Sequence, residues 1–138
     1  MKPVLLDTGV VVALLDRSER YHAHCVAVLA ELEQPLVTCE AVITESCYLL
    51  RRLTGACETI LDNIAKGAFL VSFQLSESAP ALRATMRKYS DLPADFADAC
   101  LIQLAEQLHT GDILTLDRDF ELYRWSRSQR FHLLIDLK

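Results

Sequence analysis

The chain has 138 residues, of which 51% are apolar and 24% are charged, a composition that is typical of a globular domain and excludes a disordered chain. A chain of this length buries about two-thirds of its surface on folding, so one domain over residues 1–138 can form a core without disulfide bonds. Taken alone, the formal net charge of −5 argues against a nucleic-acid-binding protein, because such proteins usually present a basic surface.

The five cysteines are an odd number, and none of them belongs to a Cys-x-x-Cys pair. This pattern fits neither a disulfide framework nor a zinc site. It predicts reduced thiols that pack as small apolar residues in a cytoplasmic protein. Asp7 interrupts the N-terminal apolar run, so we expect no secretory signal. No uncharged apolar stretch approaches the ~18 residues of a membrane span, so we expect no membrane partner.

Short apolar strands alternate with longer helical patterns along the chain. In chain order we predict a strand at 3–6, helices at 8–15 and 19–32, a strand at 35–39, helices at 41–53 and 56–65, a strand at 68–73, helices at 76–89 and 93–108, and strands at 112–116 and 131–135. Pro80 fits the first turn of its helix, and Gly111 lies just past the end of another helix. The alternation indicates an α/β fold with a parallel sheet, and such sheets bind ligands at the carboxyl ends of their strands.

Five carboxylates lie at or near the predicted carboxyl ends of the strands, where a parallel sheet binds its ligand. Asp7 ends the first strand, and Asp117 ends the fourth. Glu45 lies on the helix that follows the second strand. Asp95 and Asp98 are three residues apart, and so share one face of the helix before the fourth strand. We expect these side chains to converge at one edge of the sheet.

Each acid also has a purely structural explanation. Asp7 and Asp117 could cap the elements that follow them, and Asp95 could offset the dipole at the start of its helix. Glu45 and Asp98 are harder to explain in this way, because apolar residues flank both and a buried carboxylate requires a partner. No lysine or arginine lies one helical turn from either residue. A metal ion is therefore the expected partner, and an all-carboxylate site favours Mg2+ or Mn2+.

Four segments resemble, in order and spacing, the motifs of the PIN-domain nucleases, and in particular those of the VapC-type toxin branch. The segments are LLDTGVVVALLD, TES, DFADACLIQLAE and ILTLDRDF, and together they extend from Asp7 to Phe120. The resemblance implies a five-stranded parallel sheet of order 3-2-1-4-5 flanked by helices. It also implies an acidic pocket at the strand ends and Mg2+- or Mn2+-dependent cleavage of RNA.

The resemblance also implies a role for each acid. Asp7, Asp98 and Asp117 match family acids that bind metal, directly or through water. Glu45 matches the helical glutamate of the family and would complete the cluster and orient or deprotonate the attacking water. Asp95 corresponds to an extra acid found in some branches, and is a fifth candidate metal ligand.

Three neighbours of these acids have less central expected roles. Thr8 follows the first family Asp, and we expect its hydroxyl to support the site. Thr115 belongs to the T-x-D segment, and we expect the same of its hydroxyl. Asp119 lies two residues past Asp117, and we expect it to be exposed.

Basic residues concentrate near the carboxyl end of the chain, at Arg118, Arg124, Arg127, Arg130 and Lys138. We expect Arg118, Arg124 and Arg127 to contact RNA phosphates, with Tyr123 or Trp125 stacking on an unpaired base. The alternative is a solvated basic surface, with Trp125 packed at the edge of the core.

Other functional classes compete with a nuclease. A catalytically silent PIN module would bind RNA or a protein partner without metal-dependent cleavage. A receiver-like phosphotransfer domain requires adjacent acids after the first strand and a lysine after the last. A phosphatase of the DxDx[TV] type requires a second aspartate two residues after Asp7. Neither of the last two patterns is present.

The toxin branch implies two protein partners: a small antitoxin whose C-terminal segment occupies the groove, and a second copy of the chain in a homodimer. It also changes the meaning of the net charge. Without the acids at positions 7, 45, 95, 98 and 117, the formal charge would be zero. The acidic excess therefore equals the predicted metal site, and it no longer argues against an RNA substrate.

Overall fold

The structure is a computed structural model that describes residues 2–137. Its strands are β1 (Val4–Leu6), β2 (Leu36–Thr38), β3 (Phe69–Val71), β4 (Asp112–Leu114), β5 (Arg124–Trp125), β6 (Gln129–Arg130) and β7 (His132–Leu133). Its α-helices are α1 (Thr8–Leu15), α2 (His22–Glu31), α3 (Glu40–Leu49), α4 (Ala56–Ala65), α5 (Leu75–Lys88) and α6 (Phe96–Leu108). A short 3₁₀ helix covers Arg118–Glu121.

Five strands form one parallel sheet of order β3-β2-β1-β4-β7. The predicted α/β class and strand order are confirmed, and β7 occupies the place of the fifth predicted strand. The central strand β1 is fully buried at all three residues, as expected for a parallel strand that is covered on both faces. Leu6 pairs with Leu114, so the carboxyl ends of β1 and β4 lie side by side.

Two features near the ends of α5 and α6 differ from the sequence prediction. Pro80 is the sixth residue of α5 and not in its first turn, so the helix lacks one internal hydrogen bond there. Helix α6 begins at Phe96 and not at residue 93, because a capping box closes its first turn. The helix ends at Leu108, as predicted, with His109 as its cap at a left-handed φ of 52°.

A hairpin of β5 and β6 precedes β7, and sequence patterning does not predict it. Each of its strands has two residues, too few to show an alternating pattern. The turn contains Ser126 and Arg127 at positive φ, where glycine or asparagine is more usual. The Trp125 indole donates a hydrogen bond to the Arg130 carbonyl over 3.2 Å. The Tyr89 hydroxyl accepts one from the Arg124 backbone N–H over 2.9 Å and so ties the hairpin to the residue that ends α5.

Aromatic residues that flank the hairpin in the chain pack together in the core. Phe120 packs edge-to-face against both Tyr123 and Phe131, with ring centroids 5.1 and 5.3 Å apart, and all three side chains are buried. Edge-to-face pairs of this kind add stability beyond the burial of their area.

Within residues 2–137, no helix combines the length and the apolar character that a membrane crossing requires.

Candidate active site

Asp7 lies directly after β1 and begins α1 as its N-cap. One carboxylate oxygen accepts a hydrogen bond from the Thr8 backbone N–H over 2.8 Å. Only 6% of the residue is exposed. Burial raises the pKa of Asp7 to about 6, against the lowering effect of hydrogen bonds from Thr115 and Thr8, and the negative charges of Asp117 and Glu45 add to the rise. The cap explains why an aspartate occupies this position, but not why further acids surround it.

Thr115 connects two of the predicted acids. Its hydroxyl donates a hydrogen bond of 2.7 Å to Asp7 Oδ2, and it accepts one of 3.0 Å from the Asp117 backbone N–H. The residue is completely buried and directly follows β4, the neighbour of β1 in the sheet. The Thr115 hydroxyl therefore sets both the orientation of the Asp7 carboxylate and the backbone position of Asp117.

Asp95 and Asp98 hold each other at the start of α6. The Asp98 backbone N–H donates to Asp95 Oδ1 over 2.9 Å, and the Asp95 N–H donates to Asp98 Oδ2 over 3.1 Å. Asp95 is exposed, whereas Asp98 is only 8% exposed. Burial raises the pKa of Asp98 to about 8, and the charges of Asp95, Asp7 and Asp117 contribute to the rise. Asp98 therefore faces the other acids from the helix side of the site.

Asp117 caps the 3₁₀ helix that follows it, and its Oδ1 accepts a 2.9 Å hydrogen bond from the Asp119 N–H. Burial raises the pKa of Asp117, and the charges of Asp119 and Asp95 add to that effect. Asp119 itself is half-buried beside Asp117, so the expectation that it is exposed is wrong. The Asp-x-Asp spacing is the sequence feature that predicts this position, because a capping aspartate binds the backbone N–H of the residue two positions later.

The mutually interacting acids form one acidic cluster, which contains Asp7, Asp95, Asp98 and Asp117. Glu45 approaches this cluster from α3 and is half-buried, less buried than its apolar neighbours in the sequence suggest. Within residues 2–137 it has no hydrogen bond or ion pair, and its charge reaches Asp7. Glu45 and Asp95 line an open cleft of about 560 Å³ together with Tyr48 and Phe96. These two aromatic side chains are 62% and 43% exposed, and sequence patterning does not single them out.

Three hydroxyls in the described part of the chain are buried without a hydrogen-bond partner, and they belong to Thr8, Ser46 and Tyr123. Thr8 is next to Asp7 in the chain, and Ser46 is next to Glu45. Burial, followed by the charges of Asp98 and other cluster acids, raises the pKa of the Tyr123 hydroxyl. A buried hydroxyl without a partner costs free energy unless a water or ligand satisfies it. A water molecule or ligand that hydrogen-bonds to them would therefore stabilise the protein.

The donor set suits a hard cation that retains part of its hydration shell. The cluster contains carboxylate and hydroxyl oxygens and no histidine, and no lysine or arginine is paired with its acids among residues 2–137. In that part of the chain, no three His, Cys, Asp or Glu side chains form a ready-made metal cage. Mg2+ is commonly held by one or two carboxylates and several waters. The residues present therefore fit Mg2+ or Mn2+ and not a zinc-type site.

The three arginines that we expected near RNA differ in their environments. Arg118 is exposed at the start of the 3₁₀ helix, with its Nε 3.9 Å from Glu121 Oε1. Arg124 Nη1 donates hydrogen bonds to the carbonyls of Glu121 and Tyr123 over 2.8 and 2.9 Å. Arg127 is exposed in the turn of the β5–β6 hairpin. Their guanidinium groups are therefore not paired with the acids of the cluster.

The expected stacking role of Tyr123 is wrong, because the ring is completely buried in the core. Trp125 is half-buried, its indole N–H is bound to the Arg130 carbonyl, and its ring lies against Gly111. The alternative of a tryptophan at the edge of the core is therefore the correct one. Lys138 lies outside the described residues.

Comparison with known proteins gives consistent results. The sequence profile of the PIN domain matches residues 4–125. Ribonuclease VapC26 of Mycobacterium tuberculosis strain H37Rv is 32% identical over 118 residues, which cover 83% of this chain and 87% of that protein. The crystal structure of Mycobacterium tuberculosis VapC20, a sarcin-ricin loop cleaving toxin, matches with a TM-score of 0.78 and 16% identity, over 86% of this chain and 93% of that one. At that identity, the likeness to VapC20 concerns the fold.

Proposed function

The chain belongs to the PIN-domain family, and on that premise we propose that it is a Mg2+- or Mn2+-dependent endoribonuclease of the VapC toxin type, built as a single PIN-like domain over residues 1–138. One observation carries the proposal: Asp7, Asp98 and Asp117 approach one another from the end of β1, the start of α6 and the end of β4, and no lysine or arginine within residues 2–137 is paired with them. Their mutual repulsion in a buried environment has a physical explanation if a cation binds there. The identity to a ribonuclease supports RNA as the substrate, and an RNA substrate supports a cytoplasmic location.

Asp7, Asp98 and Asp117 would hold the metal, with Asp95 as an additional ligand on the exposed side. When bound, a divalent ion of this class lowers the pKa of water and stabilises the leaving oxygen of a phosphodiester. Thr115 keeps the Asp7 carboxylate oriented through its 2.7 Å hydrogen bond, and the hydroxyl of Thr8 would bind ordered water. Glu45, whose charge reaches Asp7, would complete the cluster and orient or deprotonate the attacking water.

The cleft beside the acids has the features of a site for single-stranded RNA. Tyr48 and Phe96 expose aromatic surface next to Glu45 and Asp95, and unpaired bases stack on such rings. Arg118, Arg124 and Arg127 would contact phosphates from the carboxyl-terminal side, which offsets the repulsion between RNA and the acids. The aromatic contact is thus reassigned from Tyr123 and Trp125 to the cleft.

The experiment that tests this proposal is cleavage of mixed cellular RNA with Mg2+ or Mn2+, with the cut ends mapped. We expect cleavage by the wild-type protein, none after chelation of the metal, and none by Asp98→Asn. Because Asn keeps the shape of the side chain, circular dichroism should show an intact fold in Asp98→Asn. The matched control is Asp62→Asn, which changes an exposed aspartate of α4 and should cleave normally.

Full activity in Asp98→Asn would contradict the site assignment. RNA binding without cleavage by the wild-type protein, under any divalent metal, would instead favour the catalytically silent PIN module.

We also propose a small antitoxin protein and a second copy of the chain as partners. Exposed apolar residues support both: Leu75 and Met86 line an apolar cavity of about 460 Å³ that reaches Phe96, and Leu49 and Leu61 are exposed on α3 and α4. Exposed apolar surface of this kind often marks protein contacts. Light scattering of the purified chain measures the oligomeric state, and we expect the mass of a dimer.

A further inference from the structure

Two cysteine side chains meet near the surface between α3 and α4. Cys47 lies in the last turn of α3 and Cys57 in the first turn of α4, and their Sγ atoms are 2.7 Å apart. Cys57 is exposed and Cys47 half-buried. The sequence predicts that most of the cysteines are thiols in the core, and this pair is the exception. Cys25, Cys39 and Cys100 are buried as expected.

We propose that Cys47 and Cys57 form a dithiol site that small-molecule disulfides, such as glutathione disulfide, oxidise reversibly to an intramolecular disulfide. The geometry favours bond formation within one molecule. The two sulfur atoms already touch, and a disulfide bond of about 2.05 Å requires only a small further approach. Nine residues separate the two cysteines, so the loop that the bond would close is short. A disulfide in a reducing compartment is usually transient and redox-sensing.

The chemistry is a two-step thiol–disulfide exchange. Cys57 is the sulfur that a small molecule reaches first, because it is exposed. Its sulfur loses a proton and attacks one sulfur of glutathione disulfide, which forms a mixed disulfide and releases one glutathione thiolate. The Cys47 sulfur then loses its proton and attacks the Cys57 sulfur, and the second glutathione thiolate leaves. Two protein thiols are oxidised, one glutathione disulfide is reduced, and the two protons end on two glutathione molecules.

The bond would join the end of α3 to the start of α4. Glu45 lies on α3 two residues before Cys47, so the disulfide would restrain the end of the helix that carries this acid. Between the two helices, Gly55 adopts a left-handed φ of 81°, and Arg51 stacks over the Tyr48 ring at 4.1 Å. Closing a loop of this length constrains the unfolded chain, so the oxidised form should be the more stable one.

The test incubates the full chain, first reduced, with mixtures of reduced glutathione and glutathione disulfide. We expect the wild-type protein to lose two thiols without a lasting glutathione adduct, and peptide mapping without reductant to link Cys47 to Cys57. Its Tm should rise by about 5 to 10 °C, and reduced glutathione should reverse both changes. Cys47→Ser should instead retain glutathione on Cys57, because the second step is blocked.

The matched control is Cys25→Ala, which removes a buried thiol from α2 and should still lose two thiols and gain thermal stability on oxidation. A stable glutathione adduct on Cys57 of the wild-type protein would overturn the proposal. So would disulfides formed only between molecules, or two thiols that survive excess glutathione disulfide. None of these measurements depends on nuclease activity, so they stand apart from the proposed function.

Discussion

Individual aspartates in this protein have a capping role and a place in the acidic cluster at the same time. Asp7, Asp95 and Asp117 each accept a hydrogen bond from a backbone N–H at the start of a helix. A cap satisfies one oxygen and fixes the direction of the carboxylate. Capping is therefore compatible with a role in the proposed metal site, because each cap also orients a carboxylate.

Thr115→Val tests how strongly the Asp7 carboxylate depends on its hydroxyl partner. Valine leaves Asp7 Oδ2 and the Asp117 N–H without the contacts at 2.7 and 3.0 Å. We expect a loss of about 1–3 kcal/mol in the free energy of unfolding and a fall of about 10–100-fold in RNA cleavage. Urea unfolding and cleavage kinetics measure the two effects. Thr115→Ser should recover most of both, and a Val variant with unchanged cleavage would contradict the positioning role.

At the scale of elements, the β5–β6 hairpin is held by contacts from three directions. The Tyr89 hydroxyl binds the backbone N–H of Arg124, and Glu106 of α6 accepts a hydrogen bond from the Ser126 N–H. Trp125 covers Gly111, which immediately precedes β4. The hairpin therefore requires glycine at position 111, because a larger residue would collide with Trp125. A positive φ is not the reason, since Gly111 has none.

Gly111→Ala is expected to displace Trp125 and loosen the hairpin. A Cβ on Gly111 would lie 2.8 Å from Trp125 Cε2, which is closer than packed atoms tolerate. We expect a loss of about 1–3 kcal/mol in the free energy of unfolding, as for other overpacked sites, together with a change in tryptophan fluorescence. Gly9→Ala is the control: its Cβ would make an ordinary 3.5 Å contact with Leu116, and alanine favours helix α1. Equal stabilities of the two variants would refute this account of Gly111.

At the scale of the whole molecule, the buried acids make stability depend on pH, and the proposed metal site would make it depend on divalent cations as well. The folded pKa values of Asp7 and Asp98, about 6 and about 8, lie above the ordinary value near 4 of an unfolded chain. Between the ordinary value near 4 and the raised value of about 8 for Asp98, the folded state binds more protons than the unfolded state. Stability is therefore greatest at low pH within this range, and it falls as the pH rises through 6 and then 8.

We expect the Tm, measured with a chelator present, to decrease from pH 5.5 to pH 8.5. The slope has an upper limit of about 1.4 kcal/mol per pH unit for each proton released. Saturating Mg2+ or Mn2+ at pH 8.5 should restore stability by about 3 kcal/mol at a hundredfold excess over the dissociation constant. Asp98→Asn should flatten the pH dependence and weaken the response to metal. Identical profiles for Asp98→Asn and the wild-type protein would show that the carboxyl group of Asp98 does not titrate in this range.

Much of the fold follows from local pattern. The strands β1 and β2 and the helices α1 and α4 lie where apolar runs and helical periodicity predict them, since each buries apolar residues in the core. The start of α6 and the β5–β6 hairpin do not, because the capping box of Asp95 and Asp98 sets the first helical residue and the two-residue strands of the hairpin depend on contacts with distant residues. The Ser126 N–H finds its partner on Glu106, twenty positions away.

The sequence by itself predicted the family by resemblance and, through that resemblance, the order of the sheet. It also placed acids at the strand ends, because the apolar runs show where the strands end. Only the tertiary structure decided that Thr115 links Asp7 to Asp117, that Asp119 is half-buried beside Asp117, and that Tyr48 and Phe96 are the exposed aromatic residues of the cleft. It likewise brought Cys47 to Cys57. Burial and contact between side chains depend on how helices pack across the sheet, and no local pattern of residues contains that information.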